Sequence, residues 1–433
     1  MQKKTPWYKM DNASIMYSSL QKDEFSAIYR FSAVMTEKVD PEALQRAIDR
    51  VLPRFAGFRS RIRKGFFWHY FEPNRAPGPF LKEDVADPCR PVRFHEDNHW
   101  LVRFFYYEDK ISVEVFHAIA DGAGAIVFFK NLLAQYLREK GVEIPLTQGL
   151  LDLSRKSCFE EWEDAYQKYA LPRGKLQSME SGVYQNIGTA EPFYTLNVTT
   201  GLIPVDRLKA RAKERGITIN DDLGAAFMYV LMQKQRREAP HRQKKIALSV
   251  PVNLRAFFPT KTMRNFILTL QPWFDPSLGD YTFEEIAARF HNYMRLHCDP
   301  HEIQSVISRN VKFQHNRLLE LVPIFIKMPV MSMSYRLRGT DPYSAIMTNP
   351  GIFRVPSQME PYIHHIECVV GPAAVPRPHM ASVTFGNCMA VTFSGTMKES
   401  DTEREFFRFL VRDGIPVHIE SNRGDFYFPK GGR

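Results

Sequence analysis

Val115-Phe116-His117-Ala118-Ile119-Ala120-Asp121-Gly122 is the stretch that decides the fold, because a strand pattern gives way there to a helix pattern. Upstream, Ile111, Val113 and Val115 alternate with Ser112, Glu114 and Phe116, the period of a half-buried strand. Downstream, Ile126, Phe129, Leu132, Leu133, Tyr136 and Leu137 recur at helical spacing as far as Gly141, a residue that ends helices. His117 therefore falls at a strand end, in step with the apolar positions and facing inward. A fold can hold an imidazole there and tune it as a base near neutral pH. Asp121, four residues on and past the turn, is expected to point away from the imidazole and to anchor the turn through an ion pair or backbone N–H groups. Gly122 is expected to supply φ > 0 and a close backbone approach. Alone, the H-x-x-x-D-G pattern fits a buried, satisfied histidine as well as a catalytic one.

Further segments carry weight. Asp40-Pro41-Glu42 has an N-cap and a first-turn proline ahead of a helix with Leu44, Ala47, Ile48, Val51 and Leu52 on one face; Pro53-Arg54-Phe55 and the basic run Arg59-Ser60-Arg61-Ile62-Arg63 follow. Ile217-Thr218-Ile219-Asn220-Asp221-Asp222 leads into Ala225-Ala226-Phe227, with Thr218 and Asp221 placed to cap a helix. Ser249-Val250-Pro251-Val252-Asn253-Leu254-Arg255 reads as a strand ending in an arginine, with Asn265-Phe266 beyond it. Thr348-Asn349-Pro350-Gly351 and the alternating stretch from Ser382 to Ser394 read as late strands.

In this order, over nearly the whole chain, these segments resemble the CoA-dependent acyltransferase superfamily. That group includes chloramphenicol acetyltransferases, nonribosomal-peptide condensation domains and alcohol acyltransferases. His117, Asp121 and Gly122 match its HHxxxDG motif. The resemblance implies an α/β fold with mixed sheets, in which two chloramphenicol-acetyltransferase-like lobes meet at a substrate tunnel. It implies His117 as general base, and Arg255 from the second lobe gripping Asp121 through its two-pronged guanidinium. It also places Phe116 and Asn349 on the tunnel wall. The co-substrate it implies is a coenzyme A thioester, with no permanently bound cofactor. Two departures stand out. Phe116 replaces the motif's first histidine, and the plant subgroup's DFGWG is missing, Gly371-Pro372-Ala373 being a faint echo.

At 433 residues the chain is long enough for two lobes. Residues 1–170 are expected to form the lobe carrying the histidine, 171–192 a crossover rich in Gly, Ser, Gln and Asn, and 193–433 the second lobe. Hydrophobic residues at 44% and charged residues at 24% are ordinary for a globular protein. No apolar run reaches the ~18 residues of a membrane span, and no signal-peptide core follows Met1-Gln2-Lys3-Lys4, so a cytoplasmic location is expected. Five scattered cysteines argue against a disulfide framework.

The net charge of +10 raises nucleic acid as a partner, yet no zinc-finger spacing, RNP-like strand or helix-turn-helix accompanies it. The densest cluster, Lys234-Gln235-Arg236-Arg237 with Arg242, Lys244 and Lys245, is expected in a solvated loop. The other use for it is a patch for coenzyme A phosphates, an acidic carrier protein or an anionic membrane. His297-Cys298-Asp299-Pro300-His301 and His364-His365-Ile366-Glu367-Cys368 hold metal-ligand types without paired metal-site spacing, so no metal is expected. No G-x-S-x-G elbow supplies a protein nucleophile. The expected chemistry is direct: an alcohol or amine acceptor attacks the thioester of acyl-CoA, or of a carrier protein acting in trans. The alternative is a degenerate condensation-like module that binds a carrier or partner without chemistry.

Overall fold

The computed structural model describes residues 7–424 apart from 23, 86, 94–96, 176–178, 315–321, 335–341, 374 and 376. Strands and helices alternate along these residues and build mixed sheets. The first has five strands in the order Ile363–Val370, Ile28–Met35, Lys110–Phe116, Val102–Tyr107 and Leu81–Glu83. The second runs Ile267–Leu270, Ile246–Asn253, Ala345–Ile352, His379–Phe385, Cys388–Gly395, Asn197–Pro204 and His418–Ser421, with Trp273–Phe274 also paired to the 246–253 strand. A small three-stranded sheet joins Tyr8–Lys9, His69–Pro73 and Ser60–Lys64.

The Lys110–Phe116 strand lies mid-sheet, antiparallel to both neighbours, and this corrects the half-buried expectation. Ser112, Glu114 and Phe116 are as buried as Ile111, Val113 and Val115. The alternation still sorts side chains between faces, but the polar face is covered too. There the Ser112 and Ser32 hydroxyls bond at 2.8 Å, and Glu114 receives Arg30 at 2.7 Å and Arg103 at 2.6 Å.

Sheet membership does not follow chain order. The late strand Ile363–Val370 crosses back and pairs antiparallel with Ile28–Met35, Val369 opposite Arg30. This strand lies in the 193–433 stretch yet pairs in the sheet whose other strands fall between residues 28 and 116. Without it the 28–35 strand would be an exposed, largely apolar edge, a hazard that folds cover. The apolar cluster around the first sheet also continues into Ala381, Val383 and Phe385 of the second, so the two sheets share packing.

Helices form where capping residues foretell them. Asp40 caps Pro41–Val51 by accepting from the Glu42 and Ala43 N–H groups, and Thr218 with Asp221 makes a reciprocal capping box on Ile219–Glu238. That second helix runs on to Glu238, so Lys234–Arg237 lie in its final turns, while Arg242, Lys244 and Lys245 fall in the loop before the 246–253 strand as expected. Cations suit the negative end of a helix, and Lys234 is buried against Asp401 at 3.0 Å. Among the described residues, no helix is long and apolar enough to cross a membrane.

Candidate active site

His117 follows directly on the Lys110–Phe116 strand, and its N–H donates to the Ala27 carbonyl at 2.8 Å. The next four residues turn the chain into the Gly122–Glu139 helix, and side chains hold each step. Ser14 Oγ donates to the Ala118 carbonyl at 2.6 Å, and the Tyr29 hydroxyl reaches the Ala120 and Asp121 carbonyls at 3.0 Å each. Asp121 is the helix N-cap, φ −87° and ψ 178°, with Oδ1 accepting from the Gly124 N–H at 3.0 Å. Its other oxygen accepts from the Phe266 N–H and from Arg255 Nη1, both at 2.8 Å.

Arg255 and Asp121 thus meet, through one prong and not two. The guanidinium also donates from Nη1 to Asn253 Oδ1 at 3.1 Å, from Nε to the Thr262 carbonyl at 3.0 Å and from Nη2 to the Arg264 carbonyl at 2.6 Å. One arginine therefore ties the motif turn to the 262–266 segment. Gly122 differs from expectation as well. It does not have positive φ, and a Cβ there would meet only Pro350 at ordinary contact distance. The close approach belongs to Gly124, where a Cβ would stand 2.0 Å from the Met263 carbonyl oxygen.

The segment held by Arg255 delivers Asn265 to the histidine. Asn265 Nδ2 donates to the His117 carbonyl at 2.9 Å, and its Oδ1 lies 3.0 Å from His117 Nδ1. A carbonyl only accepts, so the amide nitrogen must face it and Oδ1 must face the ring. Nδ1 then carries the proton, and Nε2 keeps its lone pair. Tyr17 stacks on the ring at 4.2 Å between centroids and Tyr29 meets it edge-on at 4.9 Å. Tyr17 belongs to the Asn12–Leu20 helix, whose N-cap Asp11 is paired with Arg264 at 3.0 Å. Burial pushes the His117 pKa below its ordinary value; its own carbonyl, Asp121, Asn265 and Asp11 oppose the shift without reversing it. The imidazole is neutral at pH 7 and available as a base.

His117 faces a cavity of about 310 Å³ that both main sheets line. Tyr29 and Phe31 face it from the first, Ser249, Ile346 and Thr348 from the second, and Gly122 from the helix start. Two expected wall residues lie elsewhere. Phe116 is fully buried in the first-sheet core, one residue out of phase with His117. Asn349 alternates with the lining residues Thr348 and Pro350, and its side chain instead bonds the Gly351 N–H at 2.8 Å and Asn220 at 3.3 Å. The partnership of Asn265 was missed because its signal was only its place beside Phe266 in a matched segment. Tyr17, Asp11 and Arg264 gave no local pattern at all.

The other histidine clusters are placed as follows. His297 bonds Glu302 at 2.9 Å beside a helix junction. His365 and Glu367 come within 4.8 Å of Glu420, a group of metal-ligand types in which Glu367 already pairs with Lys110 at 2.9 Å.

No protein-family model and no curated protein sequence matches the chain. Solved structures do. The Fusarium graminearum TRI101 structure, complexed with coenzyme A and deoxynivalenol, superposes with TM-score 0.60 at 11% identity, covering 96% of this chain and 100% of that one. Polyketide synthase associated protein 5 from Mycobacterium tuberculosis gives 0.59 at 15% identity, covering 93% and 96%. The first condensation domain of the CDA synthetase gives 0.57 at 14%, covering 94% and 96%. The chain has the fold of the CoA-dependent acyltransferases and condensation domains. At these identities the likeness establishes the fold alone, and this fold hosts His117 where its two main sheets face a common cavity.

Proposed function

We propose that the protein is an acyltransferase, moving an acyl group from a pantetheine thioester, acyl-CoA or carrier-bound, to an alcohol or amine. The two sheets act as two lobes whose shared cavity is the substrate tunnel. The observation that carries this proposal is the tautomer of His117: Nδ1–H is committed to Asn265, and the basic Nε2 is left for the cavity.

In this mechanism Nε2 takes the proton of the acceptor O–H or N–H as the acceptor attacks the thioester carbonyl. A C–O or C–N bond forms and the carbonyl electrons move to oxygen. When the tetrahedral adduct collapses, the C–S bond breaks, and the thiolate recovers the proton from the imidazolium. No acyl-enzyme is needed. The apolar lining helps by holding both substrates together, which removes much of the entropic barrier. Asp121, Arg255 and Asn265 are positioning residues in this scheme, while Phe116, buried in the core, leaves the chemistry of Nε2 untouched.

Thiol release from acyl-CoAs between acetyl and palmitoyl, with mixed alcohols and amines as acceptors, tests the proposal. His117→Ala runs alongside, its folding checked by circular dichroism. Acceptor-dependent release that the folded variant has lost supports it. If neither CoA nor carrier-bound donors react while ligands still bind, the chain is a binding module and the catalytic proposal fails.

A further inference from the structure

Away from the cavity, two elements that touch each other present apolar side chains to solvent. The first is Gly65-Phe66-Phe67-Trp68, the turn between the Ser60–Lys64 and His69–Pro73 strands of the small sheet. The second is the 11-residue helix Ile324–Ser334. The Ile324 N–H donates to the Phe66 carbonyl at 2.9 Å, and the Phe66 and Phe325 rings meet edge-on at 6.3 Å between centroids. Phe66 and Phe325 are each 64% exposed, Val330 and Met333 each 63%, and Phe67 and Ile326 are exposed as well. Steps of one, four and three residues put 325, 326, 330 and 333 on one face of the helix. Lys327, on the opposite side, is buried over the Trp68 ring at 3.5 Å from its centroid and fixes the helix to the turn. Single apolar residues on a surface are ordinary, but a contiguous group of large ones marks a contact site.

The charge around this patch selects its partner. The 59–73 hairpin carries Arg59, Arg61, Arg63 and Lys64 against Glu72 alone, and the helix adds Lys327 with no acid. Arg61 and Arg63 share Glu72 at 2.6 Å each, and Arg59 and Lys64 are exposed. A second copy docked through the same face would set these excess cations against one another, because a two-fold interface brings identical patches together. The apolar side chains of the patch also offer no hydrogen-bond donor, whereas an interface between proteins carries about ten hydrogen bonds. An anionic bilayer suits both features. Its hydrocarbon needs no hydrogen bonds, and its acidic headgroups attract the cations beside the patch.

We infer that the 65–68 turn and the exposed face of the Ile324–Ser334 helix form a peripheral docking surface for an anionic lipid bilayer. Phe66, Phe67 and Phe325 enter the boundary between headgroups and hydrocarbon, and Lys64, next to the turn, is drawn to the lipid phosphates. The Ile324–Ser334 helix packs on the Asn12–Leu20 helix, which carries Tyr17 to His117. Docking therefore brings the bilayer to within one helix of the cavity.

Vesicle flotation tests this. Wild-type protein is expected to bind vesicles of phosphatidylcholine and phosphatidylglycerol in equal parts at least tenfold more tightly than pure phosphatidylcholine, with the preference shrinking as salt screens the charges. Phe66→Ser combined with Phe325→Ser should weaken binding to the anionic vesicles tenfold or more, with circular dichroism and the urea midpoint unchanged because both side chains are exposed. Lys64→Glu should weaken it severalfold and reduce its salt dependence. Phe66→Trp should gain fluorescence quenching by brominated lipid over the wild-type signal. No binding, equal binding to neutral vesicles, undiminished binding by the double variant, or no added quenching in Phe66→Trp overturns the inference. So does a dimer in sedimentation that the double variant abolishes, since a second copy would then cover the face. Vesicle binding needs no turnover, so failure of docking and failure of the acyl-transfer proposal are distinguishable.

Discussion

The first sheet separates two cavities, and its two faces treat polar groups in opposite ways. Alternation sends Tyr29, Phe31 and Cys368 to the cavity of His117, and Arg30, Ser32 and Glu367 to a second cavity of about 540 Å³ behind the sheet. On the rear face charges are paired. Arg30 holds Asp84 at 2.6 Å and Glu114 at 2.7 Å, Arg103 holds Glu114 at 2.6 Å, and Lys110 holds Glu367 at 2.9 Å. On the front face one neutral imidazole, His117, stands in a mainly apolar wall. A charge satisfied by its neighbours has little left to offer a substrate, whereas a neutral base with one nitrogen fixed has a single free lone pair. Burial of polar groups alone therefore does not mark the reactive face; the pattern of partners does.

The largest effect expected from this contrast is at His117. Loss of a general base costs about 10²–10⁴-fold in rate, so His117→Ala should lose nearly all turnover while its urea midpoint stays close to that of the wild type. The rear face should behave inversely. Glu114→Ala takes the carboxylate from Arg103 and leaves Arg30 with Asp84 alone, and breaking such a buried pair costs about 3–5 kcal/mol. Urea unfolding should register that loss, with activity per folded molecule unchanged. A Glu114 variant that is fully stable and inactive would erase the distinction between the faces.

The uneven legibility of these two faces in the sequence follows from how each is built. The strand, the turn and the helix around His117 are local, so alternation, an N-cap and helical spacing sufficed to locate them. The carboxylate of Asp121 was readable as a turn anchor because a capping aspartate declares itself within three residues. Its partner Arg255 lies 134 positions away, and only the resemblance joined them. The crossing of Ile363–Val370 into the first sheet is a long-range pairing with no local signal, since either sheet would accept its alternation. Asn349 was assigned from a motif when the face it takes is set by strand parity. Glu114 read as solvent-facing because the arginine that neutralises it is 84 residues earlier in the chain.

Asn265 permits a finer cut within the front face. If it fixes the tautomer, Asn265→Ala should keep the base yet present it poorly, slowing kcat by about tenfold to hundredfold, less than removal of the base. Asn265→Asp puts a negative charge beside Nδ1 and should raise the His117 pKa, moving the acid limb of the kcat/KM profile to higher pH. Equal rates in wild type and Asn265→Ala would mean that the Tyr17 and Tyr29 rings orient the imidazole without it.

The smallest effect separates the faces by pH. His117 and His379 on the front, and His69 in the small sheet, all have pKa values lowered chiefly by burial, to about 3 for His379 and about 4 for His69. In the unfolded chain a histidine takes up its proton near pH 6.5. As pH falls below that value the unfolded state binds more protons than the folded one, so stability drops by up to about 1.4 kcal/mol per pH unit for His379 and for His69, and in the same direction for His117. The rear carboxylates enter later. Against the cost of burial, Lys110 and His365 hold Glu367 down to about 2, and Arg30 and Arg103 lower Glu114, so their stabilisation is lost only as pH falls below about 4.5. Urea unfolding at intervals from pH 7.5 to 4 should therefore show a slope beginning near 6.5 and steepening below 4.5. His379→Phe should remove about one proton's worth of slope from the upper range, and Glu367→Gln should leave that range unchanged. An upper-range slope that His379→Phe leaves intact would mean that this ring is protonated in the folded protein, and its neutrality, with the contrast between the two faces, would not hold.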